Sequence, residues 1–216
     1  GWYCPALYVL KEEPRNDMLV VDGDASEGPF PVQRAHVADL TPYPFPTNTP
    51  VPAAEAIFDR VSMEIARGCT EGCRFCQAGM ITRPTRQRKP ETVLDLAEKQ
   101  LASTGANEVG LLSLSAGDYE PINFVLSEFF NRFENDKISI SLPSMRTETM
   151  TPELAEQVAR VRKSGFTFAP EAGSERMRRV INKTNSEEDL MNAVRSTVKA
   201  GWRHLKFYFM IGLPTE

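Results

Sequence analysis

The sequence predicts an α/β fold in which parallel strands alternate with helices. From residue 57 onward, short apolar runs of strand length alternate with segments that have helical periodicity. Two of the helical segments start at capping residues, three stop at glycines, and the loops between elements are short. Short crossovers of this kind produce parallel sheets with right-handed connections. Five strand–helix units, or nearly so, therefore predict a (β/α) barrel or part of one.

Five segments are predicted as strands because each is a short apolar or alternating run. They cover residues 61–66, 108–114, 137–142, 166–169 and 204–211. The distinctive polar residues of the chain follow these segments, and chemistry in such folds gathers at the carboxyl ends of the strands.

Four segments are predicted as helices: residues 91–103, 121–133, 151–163 and 186–199. The first has an apolar stripe and stops at Gly105. The third opens with Thr151 as N-cap and Pro152 in the first turn. The fourth opens with a capping box at Ser186.

Residues 1–56 differ from the rest, because they hold more than half of the 16 prolines. Proline fixes φ and removes a donor, so this stretch is predicted as a Pro-rich extended connector or the remnant of an upstream domain. Short runs at 6–10 and 18–21 are predicted as strands of a small lobe. Both ends look cut, and the barrel core, 57–216, is expected to be truncated after its fifth strand.

The composition restricts the class of protein. A hydrophobic content of 41% suits a globular core, and a net charge of −4 does not suit a nucleic-acid-binding polycation. No apolar run reaches the roughly 18–20 residues that span a bilayer, and the start does not have the pattern of a signal peptide. We therefore expect a cytoplasmic protein without a membrane partner. Four cysteines, of which three are clustered, indicate metal binding and not a disulfide framework.

Cys69, Cys73 and Cys76 have the spacing C-x3-C-x2-C. Small residues on one helix face would share this spacing, but Gly68 and Gly72 favour a loop. Structural zinc would need a fourth protein ligand, and no other cysteine or histidine is close in the sequence. A 4Fe-4S cluster with one iron not bound by protein fits this spacing better.

This motif, placed after the first strand of a β/α series, resembles that of radical S-adenosylmethionine (SAM) enzymes, and the resemblance runs to the end of the chain. It implies a partial radical SAM (β/α) barrel in which the three cysteines ligate three irons and SAM chelates the fourth. Phe75 matches the aromatic residue before the last cysteine, and Ser115, Gly117 and Asp118 stand at the motif for the SAM amino group. The remaining implied cofactor contacts are Ser144, Arg146, Glu171 and Gly212.

Two segments, "MEIARGCTEGCRFCQAGMITRP" and "TFAPEAGSERMRRVINK", are similar in sequence to cobalamin-binding-domain-associated radical SAM proteins. This implies an enzyme that reductively cleaves SAM to a 5′-deoxyadenosyl radical and modifies an unknown substrate. Methyl transfer, or a related modification of RNA or a small molecule, is the implied outcome, with flavodoxin or ferredoxin as electron donor. Cobalamin would belong to the full-length protein only, because these residues hold no cobalamin-ligating histidine motif.

A basic run at 83–89 contains Arg83, Arg86, Arg88 and Lys89. Two interpretations are open: a solvated loop at the rim of the site, or recognition of an anionic substrate such as RNA. The alternative for the whole chain is a zinc- or iron–sulfur-binding nucleic-acid-binding module without catalysis.

Overall fold

The computed structural model describes residues 3–54, 56–57, 59–160 and 165–216. Two compact units are present, Gly1–Ala38 and Asp39–Glu216. In the smaller unit, strands β1 (Val9–Glu13) and β2 (Met18–Asp22) pair as an antiparallel hairpin. Both strands were predicted: the first lies three residues further along the chain than predicted, and the second extends one residue beyond its predicted end. A 3-10 turn at Pro5–Leu7 replaces the start of the first predicted strand.

The division between the units lies at Ala38, whereas the sequence placed it at 56. The reason is that the segment after Ala38 packs on the larger unit. Leu40 is 1% exposed, and its carbonyl accepts a hydrogen bond of 2.7 Å from Nη1 of Arg88. The carbonyl of Pro46 accepts from Nε2 of Gln100 at 2.8 Å. The extended, proline-rich segment after Ala38 is therefore part of the larger unit, because its backbone carbonyls and the side chain of Leu40 pack on that unit.

The larger unit contains parallel strands, as predicted. Strands β3 (Val61–Glu64), β6 (Glu108–Leu112) and β7 (Ser139–Ser141) form one sheet in the order β3-β6-β7. Strands β8 (Phe166–Glu171) and β9 (Leu205–Phe209) form a second parallel pair. In the described part of the chain, a parallel bridge from Met145 to Phe168 joins the two groups. Four strands are shorter than predicted, and β8 extends two residues further, to Glu171.

A short antiparallel pair closes the base of the cysteine loop. Its strands are β4 (Ala66–Arg67) and β5 (Arg86–Gln87). Gly68 follows β4 with a φ of +95°, and a Cβ there would lie 2.8 Å from the carbonyl oxygen of Thr82. Only glycine fits this position without strain.

Six α-helices are present in the described residues. Four were predicted: α2 (Pro90–Thr104), α3 (Ile122–Phe133), α4 (Pro152–Val158) and α6 (Glu187–Lys199). The predicted end of the third helix, at 163, lies outside the described residues. Two short helices were not predicted, α1 (Gln77–Ile81) and α5 (Glu175–Val180). Both are too short to show a clear apolar period in the sequence.

The core lies where one face of the sheet meets the helices. Met63 and Val109 on the strands are buried with Leu94 of α2 and Leu126 and Phe130 of α3. This packing holds the strands, and with them their carboxyl ends, in place. The three cysteines and the polar loops follow these ends.

Candidate active site

The three clustered cysteines line one cavity of about 320 Å³. Cys76 is the N-cap of α1, and its Sγ accepts a hydrogen bond of 3.3 Å from the backbone N–H of Gly79. Sγ of Cys69 accepts from the N–H of Glu71 at 3.4 Å. Cys4 is exposed and lies in the other compact unit. The local chain fold therefore directs three sulfurs to one cavity, whereas the fourth cysteine belongs to the other unit.

Burial raises the pKa of the Cys69 and Cys73 thiols. The metal-binding form is the thiolate, so a metal centre bound here has to displace the protons of these sulfurs. Within the described ranges, no three His, Cys, Asp or Glu side chains are close enough together to hold a single metal ion. Three thiols that line one cavity fit a 4Fe-4S cluster, in which each thiolate binds a different iron.

The cysteine loop is fastened to the end of α5. The N–H of Arg74 donates to the carbonyl of Ile181 at 2.9 Å, and Nδ2 of Asn182 donates to the carbonyl of Gly72 at 2.8 Å. Nη2 of Arg83 donates to the carbonyl of Glu71 at 2.9 Å. Segments more than 100 positions apart in sequence thus hold the loop in place.

Arg146 joins three carboxylates beside the cysteines. Its Nη1 lies 2.5 Å from Oε1 of Glu71 and 3.4 Å from Oε1 of Glu148, and its Nη2 lies 2.7 Å from Oδ1 of Asp118. Burial alone would lower the pKa of Arg146, but the hydrogen bond and charge of Asp118, together with the charges of Glu148 and Glu71, outweigh it and raise that pKa. Both Nη nitrogens are therefore engaged by carboxylates of the protein. Sequence reasoning did not find Glu71 and Glu148.

Two residues of the cavity wall have left-handed backbone conformations. Ser144 has a φ of 61° and Glu171 a φ of 67°. Such conformations are costly for residues other than glycine and concentrate at functional sites. Oε1 of Glu171 lies 3.4 Å from Nζ of Lys183, which also donates to the carbonyl of Ala169. Lys183, which sequence reasoning missed, therefore adds a mostly buried cation to the cavity.

The family profile described as "Radical SAM superfamily" matches residues 63–216. The chain belongs to the radical SAM superfamily. Members of this family use a 4Fe-4S cluster and SAM, as the sequence predicted. No helix in the described part of this radical SAM chain is long and apolar enough to cross a membrane.

The chain is similar to longer proteins of the family. It is 36% identical over 185 residues to an uncharacterized protein of Methanocaldococcus jannaschii, covering 86% of this chain and 40% of that protein. It is 31% identical over 143 residues to the tRNA-2-methylthio-N(6)-dimethylallyladenosine synthase of Chloroherpeton thalassium, covering 61% of this chain and 30% of that enzyme. The chain thus spans less than half the length of either relative.

Solved radical SAM structures share the fold. The methyltransferase TsrM from Kitasatospora setae, with cobalamin and a [4Fe-4S] cluster bound, matches with a TM-score of 0.62 at 16% identity, over 72% of this chain and 32% of that one. The cobalamin-dependent radical enzyme OxsB matches with a TM-score of 0.59 at 15% identity, over 70% and 24%. These matches confirm the predicted partial (β/α) barrel.

The structure brings together only some of the residues predicted to contact SAM. Phe75, Ser144, Arg146 and Glu171 line the cavity with the cysteines. Ser115 and Asp118 line a smaller cavity that Cys69 also borders.

Two predicted glycines lie outside the walls of these cavities. At Gly117 a Cβ would lie 2.1 Å from Oγ1 of Thr149, so close packing requires glycine there. Gly212 follows β9 with a φ of +76° and is not among the residues that line either cavity.

Half of the basic run is buried. Arg86 donates from Nε to the carbonyl of Pro84 at 2.8 Å, and Arg88 donates to the carbonyl of Leu40. Neither predicted role, solvated loop or substrate contact, holds for these two residues. Arg83 and Lys89 are exposed.

Proposed function

We propose that this chain is the core of a radical SAM enzyme that binds a 4Fe-4S cluster through Cys69, Cys73 and Cys76. The observation that carries the proposal is that these three cysteines share one cavity with charged residues from the carboxyl ends of three strands. The chemistry that a bound cluster supplies is one-electron reduction of SAM, which yields methionine and a 5′-deoxyadenosyl radical. The residues of this chain orient SAM and exclude water.

Lys183 is the residue that we assign to the SAM carboxylate. Its Nζ is partly free to donate, whereas Arg146 is held by three carboxylates. For the SAM ammonium we assign Asp118, because its Oδ2 is buried and has no hydrogen-bond partner in the described structure. Buried oxygens of this kind are costly unless a donor reaches them. Oγ of Ser115 is also buried without a hydrogen-bond partner in the described structure, and Ser115 lines the smaller cavity together with Asp118.

The other contacts follow from the resemblance and the cavity wall. Glu171 would accept hydrogen bonds from the ribose hydroxyls, and Phe75 and Ser144 would border the nucleoside. Gly212 remains a proposed backbone contact to adenine. Methyl or methylthio transfer is the outcome that we favour, because the chain is 31% identical to an enzyme named as a tRNA methylthio synthase. Cobalamin would belong to the full-length protein, and the electron donor would be a flavodoxin or ferredoxin in the cytoplasm.

The test is the electron paramagnetic resonance spectrum of the reduced, anaerobically reconstituted protein with and without SAM. We expect SAM to change the spectrum. Lys183→Met should raise the SAM concentration for half of this change by about tenfold or more, since it removes a charge-assisted hydrogen bond. The matched control is Lys199→Met, an exposed lysine at the end of α6.

An unchanged spectrum at saturating SAM would overturn the proposal. It would favour the alternative of a metal-binding nucleic-acid module without catalysis. The assigned roles of Lys183 and Asp118 are supported if Lys183→Met and Asp118→Asn bind the full amount of iron but show a weaker SAM-dependent change of the spectrum.

A further inference from the structure

Three arginines come from the cysteine loop, from the segment after it and from α5, whose end is hydrogen-bonded to that loop. Nη2 of Arg83 lies 3.6 Å from the position that a Cβ on Gly72 would take. Arg74, between Cys73 and Phe75, donates from Nη1 to the carbonyl of Val180 at the end of α5. Arg179 of α5 lines a cleft together with Asn182, whose side chain donates to the carbonyl of Gly72. Arg74, Arg83 and Arg179 are termed the basic rim.

The charges of the basic rim are largely uncompensated. All three side chains are exposed. No carboxylate of the described residues forms an ion pair with Arg74 or Arg83, which donate to backbone carbonyls. Arg179 lies 3.4 Å from Glu175, but these side chains are 72% and 45% exposed, and such pairs contribute little. The rim therefore presents three exposed guanidinium groups next to a site whose interior holds the carboxylates around Arg146.

Two solvent-exposed aromatic rings line the same cavity as the cysteines. Phe75 is 45% exposed and Tyr208 is 54% exposed. Exposed rings provide flat surfaces on which a nucleobase can stack. Tyr208 comes from β9, so the sequence around the cysteines did not reveal it.

A polar cleft adjoins the cavity. Its volume is about 460 Å³, and Lys183 lines both spaces. The other residues of the cleft are polar or charged: Glu175, Arg179, Asn182, Thr184, Asn185 and Ser186. A ligand larger than SAM can therefore extend from the cavity toward the basic rim over polar surface.

We propose that the substrate is a single-stranded segment of RNA, with a base stacked in the cavity on Tyr208 and neighbouring phosphates on the basic rim. Guanidinium groups suit phosphate oxygens, and rings beside them suit bases. An acidic peptide would use the arginines but not the rings, and a small molecule confined to the cavity would not reach the rim. This inference rests on the proposed function, because it assigns the substrate of the same site.

The experiment measures binding of a fluorescein-labelled oligouridylate of about 20 nucleotides to the reconstituted protein by anisotropy, over about 50 to 200 mM salt. Poly-L-glutamate is the competing polyanion. Arg74→Gln/Arg83→Gln should lower affinity at least fivefold and reduce the salt slope by about 0.7 per arginine. Arg179→Gln should reduce the slope in the same way without touching the hydrogen bonds of the cysteine loop. Tyr208→Leu should lower affinity at an unchanged slope.

The matched control is Arg195→Gln, an exposed arginine of α6 about two turns beyond Glu187. Its affinity should stay within twofold of wild type. The proposal is overturned if the rim variants bind RNA like wild type, or if poly-L-glutamate competes as well as unlabelled RNA, which would indicate an acidic protein partner.

Failure here can be told apart from failure of the proposed function. Rim variants that keep the SAM-dependent spectrum and wild-type RNA affinity would remove only the RNA inference. If SAM does not change the spectrum of the wild-type protein, the proposed function is wrong, whatever the RNA result.

Discussion

The guanidinium of Arg146 lies 2.5 Å from Oε1 of Glu71, and this contact ties the cysteine loop to the segment that follows β7. Arg146 is 19% exposed, and so is Glu71. Because the same guanidinium holds Asp118, the loop that carries the cysteines and the carboxylate assigned to SAM share one support. Loss of this support should affect both.

Arg146→Gln should therefore destabilise the fold by about 2 kcal/mol, because it leaves mostly buried carboxylates without their cation. Urea unfolding measures this, and Arg67→Gln is the matched control. Arg67 pairs with Glu64 at 2.7 Å but is 47% exposed, so its loss should cost well under 1 kcal/mol. Arg146→Lys should restore little, since an ammonium cannot reproduce the two-sided guanidinium contact. Equal losses for Arg146→Gln and Arg67→Gln would contradict the supporting role.

Cys76→Ala should lose the brown chromophore and most of the bound iron after anaerobic reconstitution. The reason is that Cys76 is one of three sulfurs on the cavity, and removing one leaves an iron without its ligand. Cys4→Ala is the control, since Cys4 is exposed and lies in the other unit. Iron and sulfide analysis decides the matter: about four of each per wild-type chain are expected. The opposite pattern, with Cys4 required and Cys76 dispensable, would refute the assignment.

Ser186→Ala should cost about 1 kcal/mol at neutral pH, because Ser186 caps α6 and shares a capping box with Asp189. Hydrogen bonds from the Ser186 side chain and backbone lower the pKa of Asp189 below its ordinary value of 3.8. A lowered carboxyl pKa contributes stability above 3.8 that is lost as the pH falls through the folded-state value. The difference between wild type and variant should therefore shrink on acidification below that range. Urea unfolding at several pH values measures the difference in the free energy of unfolding. A difference that does not change with pH would show that the Asp189 carboxylate does not contribute to the cap.

The 216-residue chain should self-associate as its concentration rises. Strand β9 pairs with β8, and within the described structure no strand pairs with its other edge. Beside this edge, Phe209 is 55% exposed and Ile211 is 91% exposed. Open edges and exposed apolar groups favour association with other chains.

Sedimentation velocity at increasing concentration measures this association. Ile211→Lys should reduce it, while Val198→Lys, at an exposed apolar position of α6, should not. A monodisperse monomer at every concentration tested would contradict the prediction.

Much of the fold could be predicted because its signals are local. The capping box at Ser186, the apolar stripe of α2 and the alternation of strand and helix depend on neighbours within a few positions, where propensity and periodicity act. Helix α5 could not be predicted in this way, since six residues hold too few apolar positions to define a period. Its place is fixed by contacts with the distant cysteine loop.

The sequence by itself determined the three-cysteine motif, the parallel α/β fold and the family, because spacing and periodicity are properties of consecutive residues. Only the tertiary structure decided which charged groups serve which purpose. It buried Arg86 and Arg88 against backbone carbonyls, enclosed Arg146 among three carboxylates and carried Lys183 into the cavity. The physical reason is that the role of a charge depends on its desolvation and its nearest partner, and folding brings those partners from positions far apart in the chain.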